Sequence, residues 1–99
     1  MDFLNKVIFV SKKLIMEDGK TYFDNYFVTV KNVTADAIIV IKADGEEENL
    51  PTDEDFYDEA DEGLYELQDG TSHEDPDYIG EFIIYESDVA YEKFKDIYS

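Results

Sequence analysis

Residues Asp44 to Gly63 read DGEEENLPTDEDFYDEADEG. The stretch holds eleven carboxylates and no Lys or Arg, and its reading decides the fold. Three readings compete: a solvated loop, a metal site, or a surface made to fit something positive. Two punctuations divide the stretch. Asp44–Glu48 reads as a loop, with Asp-Gly favouring a turn. Pro51 followed by Thr52 and Asp53 reads as a helix start, with either residue as N-cap and acids in the first turn favoured by the helix dipole. Gly63 would end that helix. The expectation is a short acidic helix between Pro51 and Gly63, anchored to the rest of the molecule by Phe56.

Upstream, the chain reads as strands. Residues 3–16 are rich in Val, Ile and Phe, and Glu17–Lys20 (EDGK) supplies a turn. Residues 22–32 place Tyr26, Val28 and Val30 on one face, Phe27 and Thr29 on the other. Ala37–Lys42 (AIIVIK) is apolar on both faces and reads as a central strand. Short connections make the three an antiparallel meander. Downstream, Leu64–Gln68 reads as a short strand, residues 69–77 (DGTSHEDPD) as a turn-rich loop, and Ile79–Tyr85 as a buried strand. Ser87 then caps a C-terminal helix whose Ala90, Phe94 and Ile97 form one apolar stripe, flanked by Tyr91 and Tyr98. The expected fold is α+β in a single domain, residues 1–99. It has a small, mostly antiparallel sheet of about five strands, a short acidic helix after the third strand and a C-terminal helix packed on the sheet.

The charge is divided as sharply as the chain. Residues 1–42 carry six Lys and five acids, and residues 43–99 carry two Lys and twenty-one acids, within a net charge of −18. Between Asp44 and Asp77 there are sixteen acids and no Lys or Arg. A surface of this sign repels nucleic-acid backbones and anionic membranes. The aromatic content of 15% separates the chain from disordered acidic tails. Cysteine is absent, so neither disulfides nor thiol chemistry enter. Asp2, Lys12 and Lys13 break the pattern of an export signal, no window reaches the roughly 18 apolar residues of a membrane span, and the expected location is the cytoplasm.

No catalytic set emerges. His73, the single histidine, falls in a polar loop and reads as solvated, and Ser72 beside it does not make a nucleophile–base pair. There is no phosphate-binding glycine loop and no other cofactor motif. A calcium loop started at Asp58 would meet Ala60 where a ligand is needed and end on Asp69 in place of a bidentate Glu. The expectation is no catalytic residue, no metal and no cofactor.

What remains is a surface made for something positive. Two like charges about 4 Å apart in water repel by roughly 1 kcal/mol, and solubility alone asks for a net charge of magnitude about 2–8 in a small domain. A dense acidic face steers a basic partner, and aromatics among the acids supply contact area. The expected partner-binding residues are Asp53, Glu54, Asp55, Tyr57, Asp58, Glu59, Asp61 and Glu62, joined by Asp75, Asp77 and Tyr78.

A chain of this size with DGEEENLPTDEDFYDEADEG inside a β-rich frame resembles the acidic immunity proteins that neutralise bacterial nuclease toxins of the bacteriocin and contact-dependent inhibition type. The resemblance lies in size, charge and layout. It implies a non-enzymatic inhibitor whose partner is a basic nuclease toxin domain, with no direct binding of nucleic acid. The chain is also similar in character to phage-encoded DNA mimics that block defence or repair enzymes, and an acidic accessory or calcium-binding domain is a further alternative.

Overall fold

A computed structural model describes residues 2–67 and 69–98. The fold is α+β. Among the described residues there are eight strands, in chain order β1 (Val7–Ile15), β2 (Thr21–Val33), β3 (Ile38–Lys42), β4 (Glu47–Leu50), β5 (Tyr57–Glu59), β6 (Leu64–Glu66), β7 (Ser72–Glu74) and β8 (Tyr78–Tyr85), followed by one α-helix, α1 (Asp88–Tyr98). Six strands form a sheet in the order β4-β3-β2-β1-β8-β5, and β6 and β7 form a separate two-stranded sheet.

The meander β1-β2-β3 is antiparallel as expected. Its first turn closes through Met16 N–H to Lys20 O (2.9 Å) and Gly19 N–H to Met16 O (3.0 Å). Gly19 takes φ +88° there, a conformation glycine adopts without steric penalty. The larger sheet is not antiparallel throughout. β8 lies parallel to β1, with Ile8 opposite Tyr78 and Ile15 opposite Tyr85, so the sheet is mixed and has six strands. The central positions belong to β2 and β1, while β3 lies one strand in from the edge.

The acidic stretch differs most from expectation. In place of a loop and a helix it contains two strands. Glu47–Leu50 pairs with β3 across a tight turn, in which Asp44 Oδ1 accepts from Glu46 N–H. Only Glu54–Phe56 turns, as a single 3-10 turn capped by Asp53, whose Oδ1 accepts from Asp55 N–H at 3.0 Å. The chain then becomes β5. Alternation along a strand explains the outcome: Tyr57 faces in and Asp58 out, so one buried ring holds an otherwise charged segment. The expected loop at 69–77 likewise contains a strand, β7, which pairs with β6. Gln68, placed in a strand by the sequence pattern, lies outside the described residues.

The core occupies one face of the sheet. Ile8 and Val10, Val28 and Val30, Ile38 and Val40, Leu50, Phe82 and Tyr57 are buried there with Phe3. The sheet curls around them. Lys12 on β1 reaches Glu48 on β4 at 3.1 Å, although a flat sheet would set those strands about 14 Å apart. Tyr57, on the opposite edge strand, donates its O–H to Pro51 O just beyond β4 at 2.6 Å. Residues 51–56 thus join the two edges of an incomplete barrel.

Gly80 faces Tyr57 across the β8–β5 pair. A Cβ at Gly80 would lie 3.0 Å from the Phe82 ring and 3.1 Å from the Tyr57 ring. Gly80→Ala is therefore expected to destabilise the fold by about 1–3 kcal/mol through overpacking, measured by urea denaturation.

The helix forms where expected, with Ser87 Oγ accepting from Ala90 N–H at 3.2 Å. It packs on the sheet at one end, near the β1–β2 turn, where Ser87 bonds Glu17 (2.5 Å), Phe94 lies by Gly19, and Tyr91 meets Tyr85 edge-on. Ala90 is buried and Phe94 partly so, but Ile97 is exposed, so the expected stripe is covered only at its N-terminal end. The side chain of Tyr98, read as flanking that stripe, is not among those described.

Candidate protein-interaction surface

Most of the anticipated contact residues fall into three overlapping groups; Glu54, on the 3-10 turn, and Asp61, whose backbone O accepts from Tyr65 O–H at 2.9 Å, lie outside them. The first serves the frame itself. Tyr57, placed on the contact surface by the sequence, is 2% exposed, and burial pushes its phenol up to about 12. Phe56, expected as the anchor, is 41% exposed and stacks on Phe82 with centroids 5.4 Å apart. The two neighbours exchange roles because the segment is a strand and not a helix. Asp53 caps the 3-10 turn. Asp75, at φ +51°, accepts from Gly63 N–H through Oδ1 at 2.7 Å, and Asp77 accepts from Val7 N–H through Oδ2 at 2.9 Å. Tyr78 is half-buried against Phe3, centroids 5.0 Å apart, and donates to Asp2 O at 3.0 Å.

The second group converges where β5 leaves the sheet and β8 enters it. Ala60 N–H donates to Asp77 O at 3.1 Å, which ties the two segments together. Glu59, Glu62, Asp75, Asp77 and Tyr78 line a depression of about 340 Å³ there, with Lys6 at its side. Residues far apart in sequence are thus brought to one place. The third group, Asp55 and Asp58, opens onto the outer face of the sheet, in a second depression of about 470 Å³ shared with Phe56, Phe23 and Ile83.

Charge compensation is uneven. Glu47 pairs with Lys31 at 2.5 Å. Glu48 is held by Lys12 at 3.1 Å and Lys42 at 3.5 Å and accepts the Tyr26 O–H. Burial alone would raise the Glu48 carboxyl, but hydrogen bonds from Tyr26 and Lys12 and the charges of Lys12 and Lys42 together hold it below its ordinary value. Tyr26 is shifted the other way, by burial first and by Glu48 second. By contrast, Asp55, Asp58, Glu59, Asp61 and Glu62 take part in no ion pair among the described residues. The compensated acids therefore flank β4 and the uncompensated ones flank β5.

The Glu48 cluster was missed from sequence. Its signal was Lys12, a cation inside an apolar strand, but its partner is thirty-six positions away. His73 also lies elsewhere than expected. It sits on β7, half-buried against Phe27 with ring centroids 5.5 Å apart, and its Nδ1 is buried without a hydrogen-bond partner. Among the described residues no group of three or more His, Cys, Asp or Glu is arranged to hold a metal ion, and no helix is long and apolar enough to cross a membrane. Comparison with protein-family models, curated proteins and solved structures finds no match to this chain.

Proposed function

We propose that this chain is a non-enzymatic acidic inhibitor that binds a basic partner acting on nucleic acid, and that the partner is a nuclease toxin domain for which the chain serves as a cytoplasmic immunity protein. One observation carries the reading. Asp55, Asp58, Glu59, Asp61 and Glu62 are held on and beside the ordered edge strand β5 without cationic partners among the described residues. Such an arrangement stores self-repulsion in the free protein. A basic surface docked against it relieves that repulsion, and the long-range field speeds encounter. The mechanism is occlusion: the acidic edge covers the cationic groups with which the nuclease holds its substrate.

The test is growth rescue. A nuclease domain encoded beside this chain should arrest cells when expressed alone, and co-expression of this chain should restore growth. Replacing Asp55, Asp58 and Asp61 by Lys together should abolish rescue and weaken binding at least about tenfold. The same variant should melt at a higher temperature than the parent at low salt, because each reversal relieves repulsion. Loss of rescue with a lowered melting temperature would point to misfolding, and retained rescue would sink the proposal.

A further inference from the structure

The outer face of the sheet is covered unevenly. The β6–β7 hairpin lies over Phe9 and Phe27, with the rings of Tyr65 and His73 5.7 and 5.5 Å from them. At the far end Tyr91 of α1 meets Tyr85 at 5.1 Å. Between the two covers runs an open row on three adjacent strands: Phe23 on β2, Lys13 on β1 and Ile83 on β8, which are register partners. Phe23 is 66% exposed and Ile83 45%. The depression holding Phe56, Asp55, Asp58 and Glu81 continues from this row on one side. Another, of about 410 Å³, leads from Phe23 to Leu67, Asp24 and Asp69 at the hairpin tip on the other. Phe23 lines both, so the two depressions meet at its exposed ring and together make a groove.

We propose that this groove docks a segment of a partner protein in which a large apolar side chain is flanked by Lys or Arg. Exposed apolar groups gathered on a small domain mark interaction sites, and Phe23, Ile83 and Phe56 form such a floor, with the Lys13 side chain between the first two and its Nζ 5.9 Å over the Phe23 ring. The rim sets the sign of the occupant. Asp55, Asp58 and Glu81 stand at one end and Asp24 and Asp69 at the other, against Lys13 alone within the row. A second copy of this chain, at net charge −18, would bring carboxylates against carboxylates. A basic, apolar-centred segment instead meets acids at both ends and apolar surface between. The rim would govern encounter and the apolar floor residence time. The inference rests on the reading of the chain as a binder of a basic protein, and it names the part of that partner which is gripped.

A phage-displayed library of random peptides supplies the probe. Selection on the full chain should enrich sequences with an aromatic or long aliphatic residue between Lys or Arg. The absence of Trp from the chain lets Trp-containing winners be followed by their own fluorescence. Binding should fall at least about tenfold in Phe23→Ser/Ile83→Ser. Both side chains are exposed, so this variant should keep its circular dichroism and cooperative melting. Enrichment of lysine-only sequences, equal binding by the double variant, or a dimer of the parent chain broken by the double variant would each overturn the proposal. If the parent rescues cells from the neighbouring nuclease and the double variant does so equally, the groove proposal falls and the inhibitor reading stands. If the parent selects basic, apolar peptides through the groove but rescues no cells, the groove stands and the toxin assignment falls.

Discussion

Tyr57→Ala is expected to remove about 3–5 kcal/mol of stability, the range for deleting a buried aromatic side chain. Set against the roughly 5–15 kcal/mol that holds a small domain together, that is enough to leave a substantial unfolded population. The ring contacts Phe3 and Phe82 edge-on, with centroids at 5.0 and 5.9 Å, and lies over Gly80. Its hydroxyl bonds Pro51 O across the gap between the two edges of the sheet. Tyr57→Phe isolates that last bond and should lose about 1 kcal/mol. Urea titration followed by circular dichroism measures both. The phenol gives an independent check. Its folded pKa is raised to about 12, so its contribution is intact below the ordinary tyrosine value of about 10 and is lost as pH rises toward 12. Tyrosinate absorbance from Tyr57 should therefore appear together with unfolding, in the window between pH about 10 and 12.

Glu48→Ala is expected to cost about 2–3 kcal/mol. Removing one partner of a fully buried ion pair costs about 3–5 kcal/mol, and the figure is reduced here because the Lys12 and Glu48 side chains remain 20% and 19% exposed. The substitution leaves Lys12 and Lys42 adjacent, both over the Tyr26 ring at 5.2 and 4.9 Å, with no carboxylate between them. Glu48→Gln preserves volume and should cost about half as much. The pH dependence carries a definite sign. The folded carboxyl is depressed, so its contribution is present above the unfolded carboxylate value of about 4.3 and is lost as pH falls through the lower folded value. The stability difference between parent and Glu48→Gln should accordingly narrow below pH about 4, as thermal melts across that range would show.

Much of the frame was legible in the sequence because apolar periodicity writes it plainly. The β1-β2-β3 meander, the strand ending at Tyr85 and the Ser87-capped helix follow from Val, Ile and Phe alternation, an Asp-Gly turn and a capping residue. β4, β5 and β7 were hidden for one physical reason. Each is only three or four residues long, so one inward apolar or aromatic side chain (Leu50, Tyr57 or His73) carries whatever pattern exists; charge surrounds it, and in β4 Glu48 shares the inward face with Leu50. Acids beginning at Asp53 imitate a helix N-terminus, and the cap does form, but the helix stops after one 3-10 turn because burying Tyr57 requires extended backbone. The acidic character of the candidate surface was legible from composition. Its partition was not, since Asp75 and Asp77 are tied down by Gly63 and Val7, contacts that depend on tertiary pairing.

The parallel pairing of β1 with β8 has a consequence for how the protein is made. The two strands are about seventy positions apart, and such long-range contacts slow folding because a large loop must close before they form. During synthesis β1 emerges before β8 and waits for it. Until then its edge, with the segment Val7–Val10 (VIFV), has unpaired backbone groups on one side, the kind of edge that recruits other strands. Any chain ending before Tyr78 would keep that edge open permanently. Nonsense or truncation products of this protein should therefore partition into aggregates and not accumulate as partly active fragments.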